Sequence, residues 1–166
     1  MAWQAFRVTG LHRRTAEIAE ILAEVAPGSV VRQLEAFTRT AAEAAAALGC
    51  EVGAIANSLV FASDKGPVLI LTSGAHRVDL ALVASTTGWD GLRRATPEEV
   101  RDATGQAIGG VAPVGHPSPL PTLVDQDLAD YPTVWAAAGT PHSVFSTSYD
   151  QLLSITGGRP CRVAQV

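Results

Sequence analysis

Apolar residues return at helical intervals early in the chain. Ile18, Ile21, Leu22 and Val25 recur at i, i+3, i+4 and i+7, which predicts a helix over 11–25 that Pro27-Gly28 ends. Residues 29–34 read as a short strand. Thr40 with Glu43 has the form of a capping box, in which a hydroxyl takes a free helix N–H and a carboxylate reaches back. The alanine-rich run 41–48 that follows has high helix propensity, and Gly49 suits its C-terminal turn. The pattern then becomes extended. Ser58-Leu59-Val60-Phe61 and the wholly apolar Val68-Leu69-Ile70-Leu71 flank Asp64-Lys65-Gly66, a hairpin turn, so the two runs are expected as adjacent antiparallel strands with 68–71 central. Residues 78–84 read as a short helix with Asp79 as its cap. Thr96-Pro97-Glu98-Glu99 opens another helix that should stop at Gly105. The stretch 105–121, rich in Gly and Pro, reads as an ordered irregular loop. Val134–Ala138 and Ser143–Thr147 read as strands, 151–155 as a helical turn, and Arg162–Val166 as a terminal strand. The sum is an α+β fold: a mixed, barrel-like β-sheet flanked by helices, in a single domain over 1–166.

Composition narrows the classes. Hydrophobic residues make up 47% of the 166, enough for a core, and charged residues 17%. No apolar run approaches the roughly 20 residues of a membrane span, and no signal-peptide pattern stands at the start, so no membrane partner and a cytoplasmic location are expected. The net charge of −4 argues against sequence-blind binding along a nucleic-acid backbone but allows contact with one RNA end. Arg13-Arg14 and Arg93-Arg94 could meet phosphates, although solvated surface is the better reading of each pair. Cys50 and Cys161 suggest neither a disulfide framework nor a zinc site.

Common catalytic signatures are missing: there is no P-loop, HExxH, GxSxG or GxGxxG after a strand. His12, His76, His116 and His142 lack metal-ligand spacing, so neither metal nor cofactor is expected. The informative segment is Ile108-Gly109-Gly110-Val111-Ala112-Pro113-Val114-Gly115-His116. Glycines let backbone approach a ligand and present N–H groups to a developing oxyanion; a structural loop requiring positive φ is an equal reading.

The order of segments carries a resemblance. Thr40-Ala41-Ala42-Glu43-Ala44 leads through Leu48-Gly49 to Ile55-Ala56-Asn57-Ser58-Leu59-Val60-Phe61, then Gly66-Pro67-Val68-Leu69. Ala103-Thr104-Gly105 and the Gly109–Gly115 loop follow, then Val124-Asp125 and Val134-Trp135-Ala136-Ala137-Ala138-Gly139. Across about 28–155 this resembles the YbaK/EbsC family, which includes trans-editing proteins and the editing insert of bacterial prolyl-tRNA synthetases. The resemblance implies a deacylase for mischarged tRNA, with Cys- or Ala-tRNA(Pro)-like substrates, acting without metal on an activated ester. Its partner would be a tRNA acceptor end with its amino acid attached; a homodimer stays open.

The site residues implied are Asn57 and His116 as catalytic, and Gly109, Gly110, Val111, Ala112, Pro113, Gly115, Gly139 and His142 as substrate-binding. Asp125 is expected as a structural brace of the loop. Two positions depart from the family pattern. The lysine that usually precedes Ser/Thr-Leu is Asn57, which hydrogen-bonds but carries no charge. Gln106 stands where an aromatic residue is common. Both leave open an alternative: a non-catalytic binding module of the same fold that recognises an aminoacyl or nucleotide group.

Overall fold

In a computed structural model, residues 12–35 and 40–165 are described. Helix α1 spans Arg13–Val25 and buries Ile18 and Leu22, part of the stripe predicted for it; residue 11 of the predicted span lies outside the described residues. β1 is Val31–Gln33, and α2 is Ala41–Leu48. Thr40 caps α2 by accepting the Glu43 N–H at 3.1 Å, and Gly49 closes it in the left-handed region. β2, Ile55–Ser63, and β3, Gly66–Ser73, form the expected antiparallel hairpin, with Leu59 opposite Ile70 and Phe61 opposite Val68. α3 is Leu80–Thr87 and is capped by Asp79 as expected, but it runs further than 84. β4 is only Arg93–Arg94. α4, Pro97–Thr104, has both halves of its capping box and stops at Gly105. Arg93 grips the same Glu99 through two nitrogens, at 2.8 and 2.9 Å, and holds its carboxyl down at about 2.

Four strands and a helix follow. These are β5 (Thr122–Asp125), β6 (Val134–Ala137), β7 (Ser143–Thr147) and β8 (Arg159–Cys161), with α5 (Tyr149–Thr156) before the last. The strand order is β1-β7-β6-β2-β3-β5-β8, with β4 attached to β2. β2 pairs parallel with β6, and β3 and β8 pair parallel with β5; the other pairings are antiparallel. The sheet is therefore mixed and the class α+β. Among the described strands no bond joins β1 to β8, so the ladder is open.

One face packs Ala56, Val60, Leu69 and Leu71 against α1, α5 and the 111–114 segment. The other packs Phe61, Val68, Ile70 and Leu123 against Val83 of α3 and Trp89. Val68, Leu69, Ile70 and Leu71 are fully buried, which explains why that run has no polar alternation: both faces of β3 are covered.

The terminal strand needs correction. Residues 162–165 are not strand, and Val166 lies outside the described residues; the pairing with β5 falls instead at Arg159–Cys161. Pro160 has no N–H and so lowers the strand signal, but an edge strand tolerates it. No helix among the described residues is long and apolar enough to cross a membrane.

Candidate active site

β2 is covered unevenly along its length. On one side β3 pairs with all of 56–63. On the other side β6 pairs with β2 at Ile55 and Ala56, and β4 at Phe61 and Ala62. Between them residues 57–60 face no described strand. A cavity of about 230 Å³ opens at this break, with Asn57, Ser58, Leu59 and Val60 along it. Thr40, Ala41 and Ala44 of α2 and its cap border it, as do Trp135 and Ala137 of β6 and Arg94-Ala95 after β4. Ile108, Gly109, Gly110 and Val111 form another wall, against Thr140-Pro141 and Ser143-Val144. This volume is below the roughly 300–1,000 Å³ of pockets for drug-sized ligands, so it suits a small group.

Asn57, Gly109, Gly110 and Val111 thus come together in one cavity although about fifty residues separate them in the chain. Gly110 is there because of close approach: a Cβ on it would overlap the carbonyl carbon of Thr140 and come within 2.6 Å of the Pro141 nitrogen. Gly139 has φ +100 and donates its N–H to Gly110 O at 3.1 Å, tying the loop to the turn after β6. It is buried against the Arg14 backbone and does not line the cavity.

Five other expected residues lie outside the lining. Ala112 is fully buried, and its backbone is spent: its N–H goes to Gln106 Oε1 at 2.7 Å, and its carbonyl meets His116 Nε2 at 2.8 Å. His116 is therefore a brace of the loop, half-buried, with its imidazole pushed down by burial, and it lies outside the cavity lining. Pro113 is buried, and Gly115 sits beside Ile18 and Ile21 of α1. The His142 backbone is used in the turn, its N–H on Thr140 Oγ1 and its carbonyl on the Leu34 N–H.

Gln106, which replaces a common aromatic, is 5% exposed and spans the loop from Ala112 N–H to the Val114 carbonyl.

Asp125 is also a brace, but of a different turn. Its carboxylate accepts from Ser73 N–H at 3.0 Å and Asp127 N–H at 3.0 Å, and meets His76 Nδ1 at 2.7 Å. His76 Nε2 stands 3.3 Å from Asp127. Among the described residues this trio could hold a metal ion, although chain spacing gave no sign of it, because β3 and β5 bring residue 76 to residue 125. In the structure both ring nitrogens are engaged with carboxylates. The trio borders a separate pocket that shares no residue with the Asn57 cavity.

Three further residues of the cavity were not among the expected site residues: Arg94, weighed above as solvated surface, Trp135 and Ser58. Among the described residues Arg94 is the charged member of the lining, and it lies 6.0 Å from the Phe61 ring centre. Trp135 lines it with Arg32 stacked 5.7 Å from its ring centre. Ser58 adjoins Asn57 within the quoted motif. Among the described residues the lining holds no carboxylate, histidine or cysteine. The described lining thus offers positioning and hydrogen-bonding groups.

Comparison with known proteins agrees with this architecture. A crystal structure described as a candidate trans-editing enzyme for prolyl-tRNA synthetase superposes with a TM-score of 0.89 at 46% identity, covering 95% of this chain and 100% of that one. YwhH of Bacillus subtilis is 31% identical over 123 residues, 74% of this chain and 78% of that protein. EbsC of Enterococcus faecalis, a candidate Cys-tRNA(Pro)/Cys-tRNA(Cys) deacylase, is 27% identical over 72% of this chain and 74% of its own length. The proline–tRNA ligase of Levilactobacillus brevis matches at 31% over 58% of this chain, which is 17% of that enzyme. The aminoacyl-tRNA editing domain family matches residues 35–155, and the chain belongs to that family.

Proposed function

We propose that this chain is a trans-editing deacylase that hydrolyses the ester of mischarged aminoacyl-tRNA, with Cys- or Ala-tRNA(Pro)-like substrates, in the cavity at the break in β2. The observation that carries the reading is the convergence of Asn57 with Gly109, Gly110 and Val111 on one small space whose described lining has no carboxylate, histidine or cysteine. An aminoacyl ester is already activated, so holding it beside water supplies much of the required acceleration. Water oxygen attacks the carbonyl carbon, the bond from that carbon to the ribose oxygen breaks, and the ribose oxygen takes a proton. The products are a free amino acid and an intact tRNA end.

The Asn57 amide can donate to the ester carbonyl or the ribose. Arg94 at the mouth suits a phosphate of the terminal nucleotide, and Trp135 under Arg32 offers a flat face for a base. These local features fit one RNA end in a protein whose net charge is −4.

The test is deacylation of a panel of misacylated tRNAs by the wild type and Asn57→Lys. Hydrolysis of at least one above its spontaneous rate is expected. Binding without hydrolysis across the panel would favour the binding-module alternative.

A further inference from the structure

The unpaired stretch of β2 has a direction. Ile55 O accepts from Gly74 N–H, on the β3 side, whereas Val60 O accepts from Ala95 N–H, on the β4 side. Backbone groups alternate sides along a strand, so 55, 57 and 59 turn their N–H and C=O toward β3, while 56, 58 and 60 turn theirs away. β6 takes up Ala56, and Ala95 takes up Val60 O. Ser58 stands between them; it is paired with Leu71 of β3 on one side, but on the side away from β3 no described strand pairs with it, and it lines the cavity. Its hydroxyl oxygen is buried without a hydrogen-bond partner, yet the residue is part exposed. The part of Ser58 open to the cavity therefore lies in its main chain and Cβ. A free strand-edge N–H and C=O pair is a ready template for another strand.

We infer that Ser58 receives the aminoacyl group as a one-residue strand: its N–H bonds the ester carbonyl, and its C=O takes the α-amino group. This inference rests on the deacylase reading above. An aminoacyl ester carries a donor nitrogen and an acceptor carbonyl across one Cα, the spacing of a strand residue. The same N–H then faces the oxygen that gains charge during attack. Directly opposed strand residues place their side chains on one face. The bound side chain accordingly shares the face of Ser58, toward Val60, Val100 and Val111, which favours a small uncharged amino acid.

Amide hydrogen exchange on the full chain tests this. The probe is the alanyl amide of 3′-amino-3′-deoxyadenosine, which keeps the carbonyl and α-amine but resists hydrolysis. In the free protein the Ser58 amide should exchange faster than those of Asn57 and Leu59, which bond to β3. Saturating probe should slow it at least tenfold, and the counterpart lacking the α-amino group should bind about three- to tenfold more weakly. If Ser58 exchange is unchanged at saturation, or no saturable binding occurs, while the protein deacylates aminoacyl-tRNA, the pairing is overturned and the deacylase reading stands. If the protein hydrolyses no aminoacyl-tRNA, that reading falls and the pairing with it.

Discussion

Two polar sites of this molecule differ in whether their groups are already used. In the His76–Asp125–Asp127 trio, the buried Asp125 carboxylate takes two backbone N–H groups and a ring nitrogen, and the second ring nitrogen meets Asp127. Beside Asn57, the side of β2 away from β3 has no described strand partner over 57–60, and the Ser58 hydroxyl has no bond. The first site has the residue types usually associated with catalysis; the second has almost none. Buried polar groups normally find partners, so groups left unpaired beside a cavity are better evidence for a ligand than titratable groups bonded to each other.

The largest expected effect breaks the cavity side of this comparison. Gly110→Ala puts a methyl group into the Thr140–Pro141 backbone, so the loop or the turn must move. A displacement of about 1 Å at a positioning site costs on the order of a hundredfold in rate. Single-turnover deacylation should show that loss, and unchanged turnover would remove the loop from the site.

Asp125→Ala tests the other side. It strips Ser73 N–H and His76 of their acceptor and should cost about 2 kcal/mol of stability in urea unfolding. Activity per folded molecule should hold, and a large loss without unfolding would move the chemistry to the trio. Asn57→Lys adds a charge-assisted hydrogen bond and should speed deacylation of Cys- or Ala-tRNA(Pro) about tenfold. Chelator should leave deacylation unchanged, because among the described residues no carboxylate, histidine or cysteine lines the cavity.

The smallest effect concerns His116. Burial lowers its folded pKa, so the unfolded chain binds more protons as pH falls below the ordinary value of 6.5. Stability from the neutral imidazole is present above that value and is lost on acidification. The thermal midpoint should fall between pH 7.5 and pH 5, and less steeply in His116→Gln.

What the sequence made legible follows from how local each cause is. Caps and hairpins are written in neighbouring residues, so α2, α4 and the β2–β3 turn sit where their patterns put them. β5 escaped because all four of its residues are buried, which leaves no alternation, and β4 because two residues hold no pattern. In the site, motif order brought Asn57 and Gly109–Val111 together. The order could not show that Gln106 and His116 consume the backbone of Ala112, because those bonds depend on the loop's path. Nor could it show the break in pairing that leaves Ser58 open, since that depends on where β6 ends and β4 begins.

The most direct measurement compares Asn57→Ala with His76→Ala in deacylation of the best misacylated tRNA, with rates taken per folded molecule. Asn57→Ala should fall about tenfold, as loss of a hydrogen bond to a developing charge implies, while His76→Ala should keep the wild-type rate. Loss of activity in His76→Ala with Asn57→Ala unaffected would contradict this placement of the site.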